Sequence, residues 1–211
     1  MEYFSQNFEK EPDVRFLREE DVSEFRALIK NKKSETEIDM FLRKKYDIFV
    51  GILDIFNTGH HYCKAISQPK IKLSISGIST GYILDWILLG KNSDGNQYFF
   101  VELKGAEKKI FTKTKEKIYF SQECNKGINQ LLFYLDYANR NQAYFRDELK
   151  LDNFSNPKGI LIIGTADELT SEMKQHKKAW NDILSDKISI ITWDRVLRSV
   201  ENKWNFIKPK Q

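Results

Sequence analysis

The sequence contains no run of about 18 apolar residues, the length a helix needs to cross a bilayer core, so no transmembrane helix is expected. It also lacks a basic-then-apolar stretch of the secretory type near its N-terminus, and the expectation is a cytoplasmic protein with no membrane partner. Cysteine is scarce. Cys63 and Cys124 stand too far apart to suggest a chelating pair or a disulfide framework, and both read as reduced, structural residues. Histidine is equally sparse. His60 and His61 have no third histidine nearby, which points to a surface loop rather than a zinc site, and His176 sits among polar residues as a solvent-facing side chain. No internal repeat or low-complexity tract is present.

What is present describes an ordinary globular chain. At 211 residues it has room for one well-packed domain with a modest extension, and a hydrophobic fraction of 41% supplies the core. Trp86, Trp180, Trp193 and Trp204 read as packing residues. A net charge of +4 permits polyanion binding without requiring it.

Residues 1–32 show no clean period and read as an N-terminal extension packed on a main domain spanning 33–211. From Ser34 the pattern sharpens. Ser34 has the chemistry of a cap, Glu35 and Glu37 suit a first helical turn, and Ile38, Phe41 and Leu42 share a face, predicting a helix to about Tyr46. Irregular residues through about Pro69 and an alternating strand at 72–76 come next. Two near-continuous apolar strands then follow, 82–89 and 98–104, on either side of a turn-rich 90–96 segment, the pattern of an antiparallel hairpin buried on both faces. A lysine-rich connection leads to a long helix from Gln122 to Leu149, with Ile128, Leu131, Leu132, Tyr134 and Leu135 on its inner side. A buried strand at 159–164, a helix capped at Thr165 with Glu168, a strand at 188–192 and a short helix through Val200 complete the chain. The order predicts an α/β fold in which an α-β-β-β-α-β core, extended by α-β-α, builds one mixed sheet flanked by helices.

Three charges interrupt the apolar hairpin: Asp85, Glu102 and Lys104. Buried strands normally exclude charge, because an unpaired carboxylate away from water is costly. If Leu89 faces Tyr98 across a symmetric turn, the same register sets Asp85 opposite Glu102 on one face, with Cβ atoms about 4.5–5.5 Å apart. Two carboxylates so placed repel each other unless a divalent cation such as Mg²⁺ or Mn²⁺ lies between them. Lys104, two residues beyond Glu102, shares its face. A metal with an adjacent ammonium is what phosphodiester hydrolysis asks for: Lewis acidity, an acidified water and a counter-charge. A salt bridge between Asp85 and Lys104 at a strand end is the plainer reading of the same residues.

An acidic residue, a hairpin, and then Val101-Glu102-Leu103-Lys104 resemble the PD-(D/E)XK nuclease signature, with Leu84 where a proline usually precedes the first acid. Gln130 and Tyr134 have the Gln-x-x-x-Tyr spacing found on the helix after the catalytic strand in many such nucleases, and residues four apart share a helix face. Within that superfamily the chain is similar to the Shedu antiphage defence nuclease domain. The likeness rests on Glu35-x-x-Ile38-Asp39-x-Phe41-Leu42, Asp85, Val101 to Gly105, Gln130 to Tyr134 and Ile190 to Asp194, with Asp39 in place of an expected glutamine.

The resemblance implies a restriction-endonuclease-like core and a Mg²⁺- or Mn²⁺-dependent DNA endonuclease of bacterial immunity that is often a homo-oligomer. Asp85, Glu102 and Glu35, or alternatively Glu37, then bind metal, Lys104 stabilises charge, and Gln130 orients the nucleophile or phosphate. Stabilisation of the helix N-terminus is the plainer role for Glu35. Lys108, Lys109, Lys113 and Lys115, with Tyr134, are the expected DNA contacts, a solvated loop being the alternative for the lysines. Rival readings are a catalytically silent nucleic-acid-binding module of the same fold, a restriction or DNA-repair nuclease, and a purely structural protein.

Overall fold

The computed structural model describes residues 9–56, 62–71, 82–184 and 187–208. Its strands are β1 (Glu9–Lys10), β2 (Tyr62–Ser67), β3 (Lys70–Ile71), β4 (Tyr82–Ile83), β5 (Trp86–Asn92), β6 (Gly95–Leu103), β7 (Phe111–Thr114), β8 (Lys117–Phe120), β9 (Lys158–Ile162) and β10 (Ile188–Ile191). The helices are α1 (Glu19–Lys30), α2 (Glu35–Lys44), α3 (Phe49–Ile55), α4 (Gln122–Arg140), α5 (Gln142–Asp147), α6 (Ser171–Leu184) and α7 (Trp193–Ile207).

One mixed sheet runs in the order β1-β2-β5-β6-β9-β10, with two-stranded ribbons β3-β4 and β7-β8 beside it. The pairs from β1 to β6 are antiparallel, whereas β6, β9 and β10 run parallel. Side chains alternate across each strand. Trp86, Leu88, Phe99, Val101 and Leu103 therefore pack with α1, α2, α3 and α7 on one face, and Ile87, Leu89, Tyr98 and Phe100 with α4 and α5 on the other. Burial on both faces accounts for the unbroken apolar runs. α4 bridges the parallel strands β6 and β9 and approaches closely at Gly127, where a Cβ would lie 2.6 Å from Leu161 Cδ1.

Ser34 caps α2 through a capping box with Glu37, and Ile38, Phe41 and Leu42 are buried. The hairpin register is the expected one, with Leu89 opposite Tyr98 and Trp86 opposite Val101. Its turn is tighter than 90–96, because β5 continues to Asn92 and leaves Ser93 and Asp94 to reverse the chain.

Other expectations are corrected. The N-terminal segment contains α1, whose Val22, Phe25 and Ile29 follow helical spacing and are buried. Phe25 stacks on Phe41 at 5.7 Å and meets Trp193 edge-on at 6.2 Å. Residues expected to be irregular after Tyr46 include α3 and β2. In α3, Phe49 through Leu53 are all buried, so it has no polar face to reveal a period. The long helix is two helices. Asn141 leaves the helical region at φ −126° and ψ 38°, and its side-chain amide closes α4 by donating to the Tyr137 carbonyl at 2.9 Å. Leu132, expected inside, is 45% exposed.

Only a single 3-10 turn follows Thr165, and α6 starts at Ser171. The last helix continues past Val200 to Ile207. The lysine-rich connection is the β7-β8 ribbon. The strand expected at 72–76, along with His60 and His61, lies outside the described residues. No helix of the described residues is long and apolar enough to cross a membrane.

Candidate active site

Asp85 stands at the bend between β4 and β5, one residue before the first ladder pair, Trp86 with Val101. Continuing that register sets it against Glu102, and its Oδ2 accepts the backbone N–H of Leu103 at 2.8 Å. Two further bonds hold the bend in place. The Asp85 carbonyl accepts from the Gln68 N–H at 2.8 Å, and the Ile83 carbonyl accepts from the Tyr134 hydroxyl at 3.0 Å.

Glu102 is 2% exposed and Lys104 5%. Lys104 Nζ bonds Glu102 Oε1 at 2.8 Å and lies 3.6 Å from Glu35 Oε2. Glu102 Oε2 is buried without a partner, as is the side-chain oxygen of Gln130 on α4. The Lys104 backbone is fixed on both sides, its N–H donating to the Ile162 carbonyl at 2.8 Å and its carbonyl accepting from Trp193 Nε1 at 2.7 Å.

The electrostatics follow from burial and crowding. Burial pushes the Asp85 carboxyl up, helped by the charge of Glu102 and opposed by the Leu103 N–H, to about 7. Burial likewise raises Glu102, against the pull of Lys104. Burial works to discharge Lys104, but Glu102, Glu35 and Asp85 outweigh it and hold the ammonium above its ordinary range. A buried ion pair is weak evidence for stability, since apolar residues of similar volume serve a fold equally well. Clustered perturbed groups are a feature of functional sites.

Of the two helix carboxylates, Glu35 is the one that reaches Lys104. Glu37 is occupied by Lys33 at 2.8 Å and by Ser34, and these contacts bring its carboxyl down to about 2. Tyr134 does not fit the expected DNA contact. It is 1% exposed, and its hydroxyl steadies the strand before Asp85. Lys113, though exposed, is engaged by Glu172 at 2.9 Å and Lys108 lies 3.4 Å from Glu107, whereas the exposed Lys109 and Lys115 have no ion-pair partner among the described residues.

Sequence reasoning missed three contributors. Trp193, read as packing, also anchors Lys104; its place just after a strand was the available signal. Asp39 accepts from Trp86 Nε1 at 2.8 Å and pairs with Arg43 at 2.7 Å, tying α2 to β5. Lys126, one turn before Gln130 on α4, adds a charge that draws the Glu102 carboxyl down. Its spacing of four from Gln130 was legible.

Among the described residues, no three His, Cys, Asp or Glu side chains form a ready-made metal cage. Mg²⁺ does not require one, because it is usually held by one or two carboxylates plus waters and substrate oxygens. The orphaned Glu102 Oε2 beside Asp85 fits that donor set. Two open pockets of about 540 and 430 Å³ lie elsewhere, lined by neither carboxylate.

The family model for the C-terminal region of the Shedu protein SduA matches residues 32–197. The chain belongs to this Shedu family. The Shedu match takes in Glu35, Asp85, Glu102, Lys104 and Gln130, begins just before the Ser34 cap and ends within α7; α1 precedes it. None of the curated proteins matches the chain.

Proposed function

We propose that this Shedu-family chain is a metal-dependent DNA endonuclease of the PD-(D/E)XK type, working in bacterial antiphage defence. The observation that carries the reading is Lys104, buried between Glu102 and Glu35 next to a Glu102 oxygen that has no partner. Membership of the Shedu family supports the defence role.

Asp85 and Glu102 are the residues that hold a Mg²⁺ or Mn²⁺ ion, with Glu35 approaching from α2. The chemistry such an ion supplies when bound is Lewis acidity at a phosphoryl oxygen and a more acidic water. Lys104, kept charged by its carboxylate neighbours, offsets negative charge that develops on the scissile phosphate. Gln130 offers an unpartnered buried oxygen that can accept a hydrogen bond from the attacking water and fix its direction. Trp193 and Tyr134 hold Lys104 and the Asp85 bend in place from behind.

Purified protein is incubated with plasmid in Mg²⁺ or Mn²⁺. The parent nicks or linearises it and Lys104→Ala does not; equal cutting by both sinks the assignment.

One observation favours a second reading, a DNA-binding module without catalysis: Lys104 and Glu102 already neutralise each other, and no three-ligand cage exists among the described residues. That module binds DNA in a salt-dependent way, indifferent to chelator, and never cuts it.

A further inference from the structure

β7 and β8 pair with Phe111 opposite Phe120, Thr112 opposite Tyr119, Lys113 opposite Ile118 and Thr114 opposite Lys117. Opposed residues share a face, and faces alternate along each strand. Phe111, Lys113, Ile118 and Phe120 thus form one face of the ribbon, and Thr112, Thr114, Lys117 and Tyr119 the other.

The first face is spoken for. Phe111 and Phe120 stack at 5.2 Å, Phe120 lies 4.9 Å from the Trp180 ring of α6, and Lys113 bonds Glu172 at the start of the same helix. All four residues of the second face are exposed, Tyr119 to 52%. Lys115 sits at the tip, in the left-handed region at φ 52°. With Lys113 and Lys108 neutralised, the charges left outward are Lys109, Lys115 and Lys117 against Glu116. None of those three lysines is ion-paired among the described residues.

The ribbon also springs from the correct edge. β6 and β9 run parallel, so their C-terminal ends adjoin, and Lys104 sits at that edge. The chain from Gly105 to Ile110 crosses it so closely that a Cβ at Gly164 would lie 2.3 Å from the Lys108 carbonyl oxygen. Ser121 closes the base of the ribbon with a 2.8 Å bond to the Ile110 carbonyl.

We propose that the outward face of this ribbon, Lys117 and Tyr119 with Lys115 at its tip, seats the DNA duplex beside the carboxylates. A two-stranded ribbon fits the major groove, which is about 12 Å wide. Lysines along it contact phosphates, and Tyr119 lies against the sugar and base edges. The inference rests on the nuclease reading for its partner, and it replaces a selection of lysines by charge with one by face.

Anisotropy of a labelled duplex oligonucleotide, titrated in EDTA over a series of salt concentrations, tests it. Lys117→Ala combined with Tyr119→Ala weakens binding about tenfold and makes the salt slope shallower by about one counterion. Lys113→Ala, on the inward face, binds as the parent does. Circular dichroism establishes that each variant is folded, and Lys115→Ala alone gives the same direction if the double variant is not. The surface assignment is overturned if outward variants keep the parent's affinity, or if Lys113→Ala loses as much as they do. A parent that binds duplex through this face yet never cuts keeps the surface and removes the nuclease reading. A parent that cuts while the outward variants bind unchanged does the reverse.

Discussion

Leu103 donates its backbone N–H to Asp85 Oδ2 at 2.8 Å, joining β6 to the bend that leads into β5. The bond occupies one carboxylate oxygen and fixes where the other is held. Because Leu103 lies between Glu102 and Lys104, the contact that orients Asp85 is part of the strand that carries the other two charges. The three groups are positioned by one piece of backbone.

Removing Lys104 leaves Glu102 buried without its counter-charge, which typically costs about 3–5 kcal/mol. Lys104→Ala therefore lowers the urea midpoint as well as abolishing cutting. Lys104→Met with Glu102→Leu regains most of that stability while remaining inactive. Equilibrium urea unfolding of both variants separates the roles. If the apolar pair stays as unstable as Lys104→Ala, the ion pair is structural and its placement needs another explanation.

The Asp85–Glu102 relation was legible because antiparallel register is arithmetic once a turn is located: Leu89 against Tyr98 fixes every pair down to the bend. The cap at Ser34 and the face formed by Ile38, Phe41 and Leu42 were legible because local chemistry determines them. What escaped was set by tertiary contact. α3 is buried all round, and the pairing of Lys113 toward α6 depends on Glu172, a residue far along the chain. Choosing Glu35 over Glu37 likewise needed the place where α2 meets Lys104.

Asp85 gives stability a specific pH dependence. Its carboxyl is raised in the folded state from 3.8 to about 7, so between those values the native protein binds more protons than the unfolded chain. This contribution is fully present in acid and is lost as pH rises through about 7. Asp85→Asn, which carries no charge, gains stability relative to the parent as pH goes from 5 to 8. Paired urea melts at the two pH values measure the difference; a variant advantage that shrinks toward pH 8 contradicts the shift.

On the proposed nuclease reading, a divalent cation held by Asp85 and Glu102 relieves the same repulsion. At pH 8, Mg²⁺ or Mn²⁺ raises the melting temperature of the parent, by about 2.7 kcal/mol of added stability at a hundredfold excess over Kd. For a chain of this size that is several degrees, at about 2–4 °C per kcal/mol. Glu102→Gln and Asp85→Asn lose the rise. Differential scanning fluorimetry reads this without any DNA present, and an equal rise in all three proteins places the ion elsewhere.

Tyr134→Phe tests whether the helix behind the site works by position. The change deletes only the hydroxyl that bonds the Ile83 carbonyl at 3.0 Å and leaves the ring in its buried place. Losing a hydrogen bond to this part-buried carbonyl costs about 0.5–1.5 kcal/mol, and the strand leading to Asp85 loses a tether. Tyr134→Phe therefore cuts plasmid more slowly, by roughly tenfold or more given the sensitivity of catalysis to placement. Its affinity for duplex DNA in EDTA is unchanged, because the side chain is too buried to meet the nucleic acid. Loss of DNA affinity with the cutting rate at saturation preserved would return Tyr134 to the binding surface and dismiss its role as a tether.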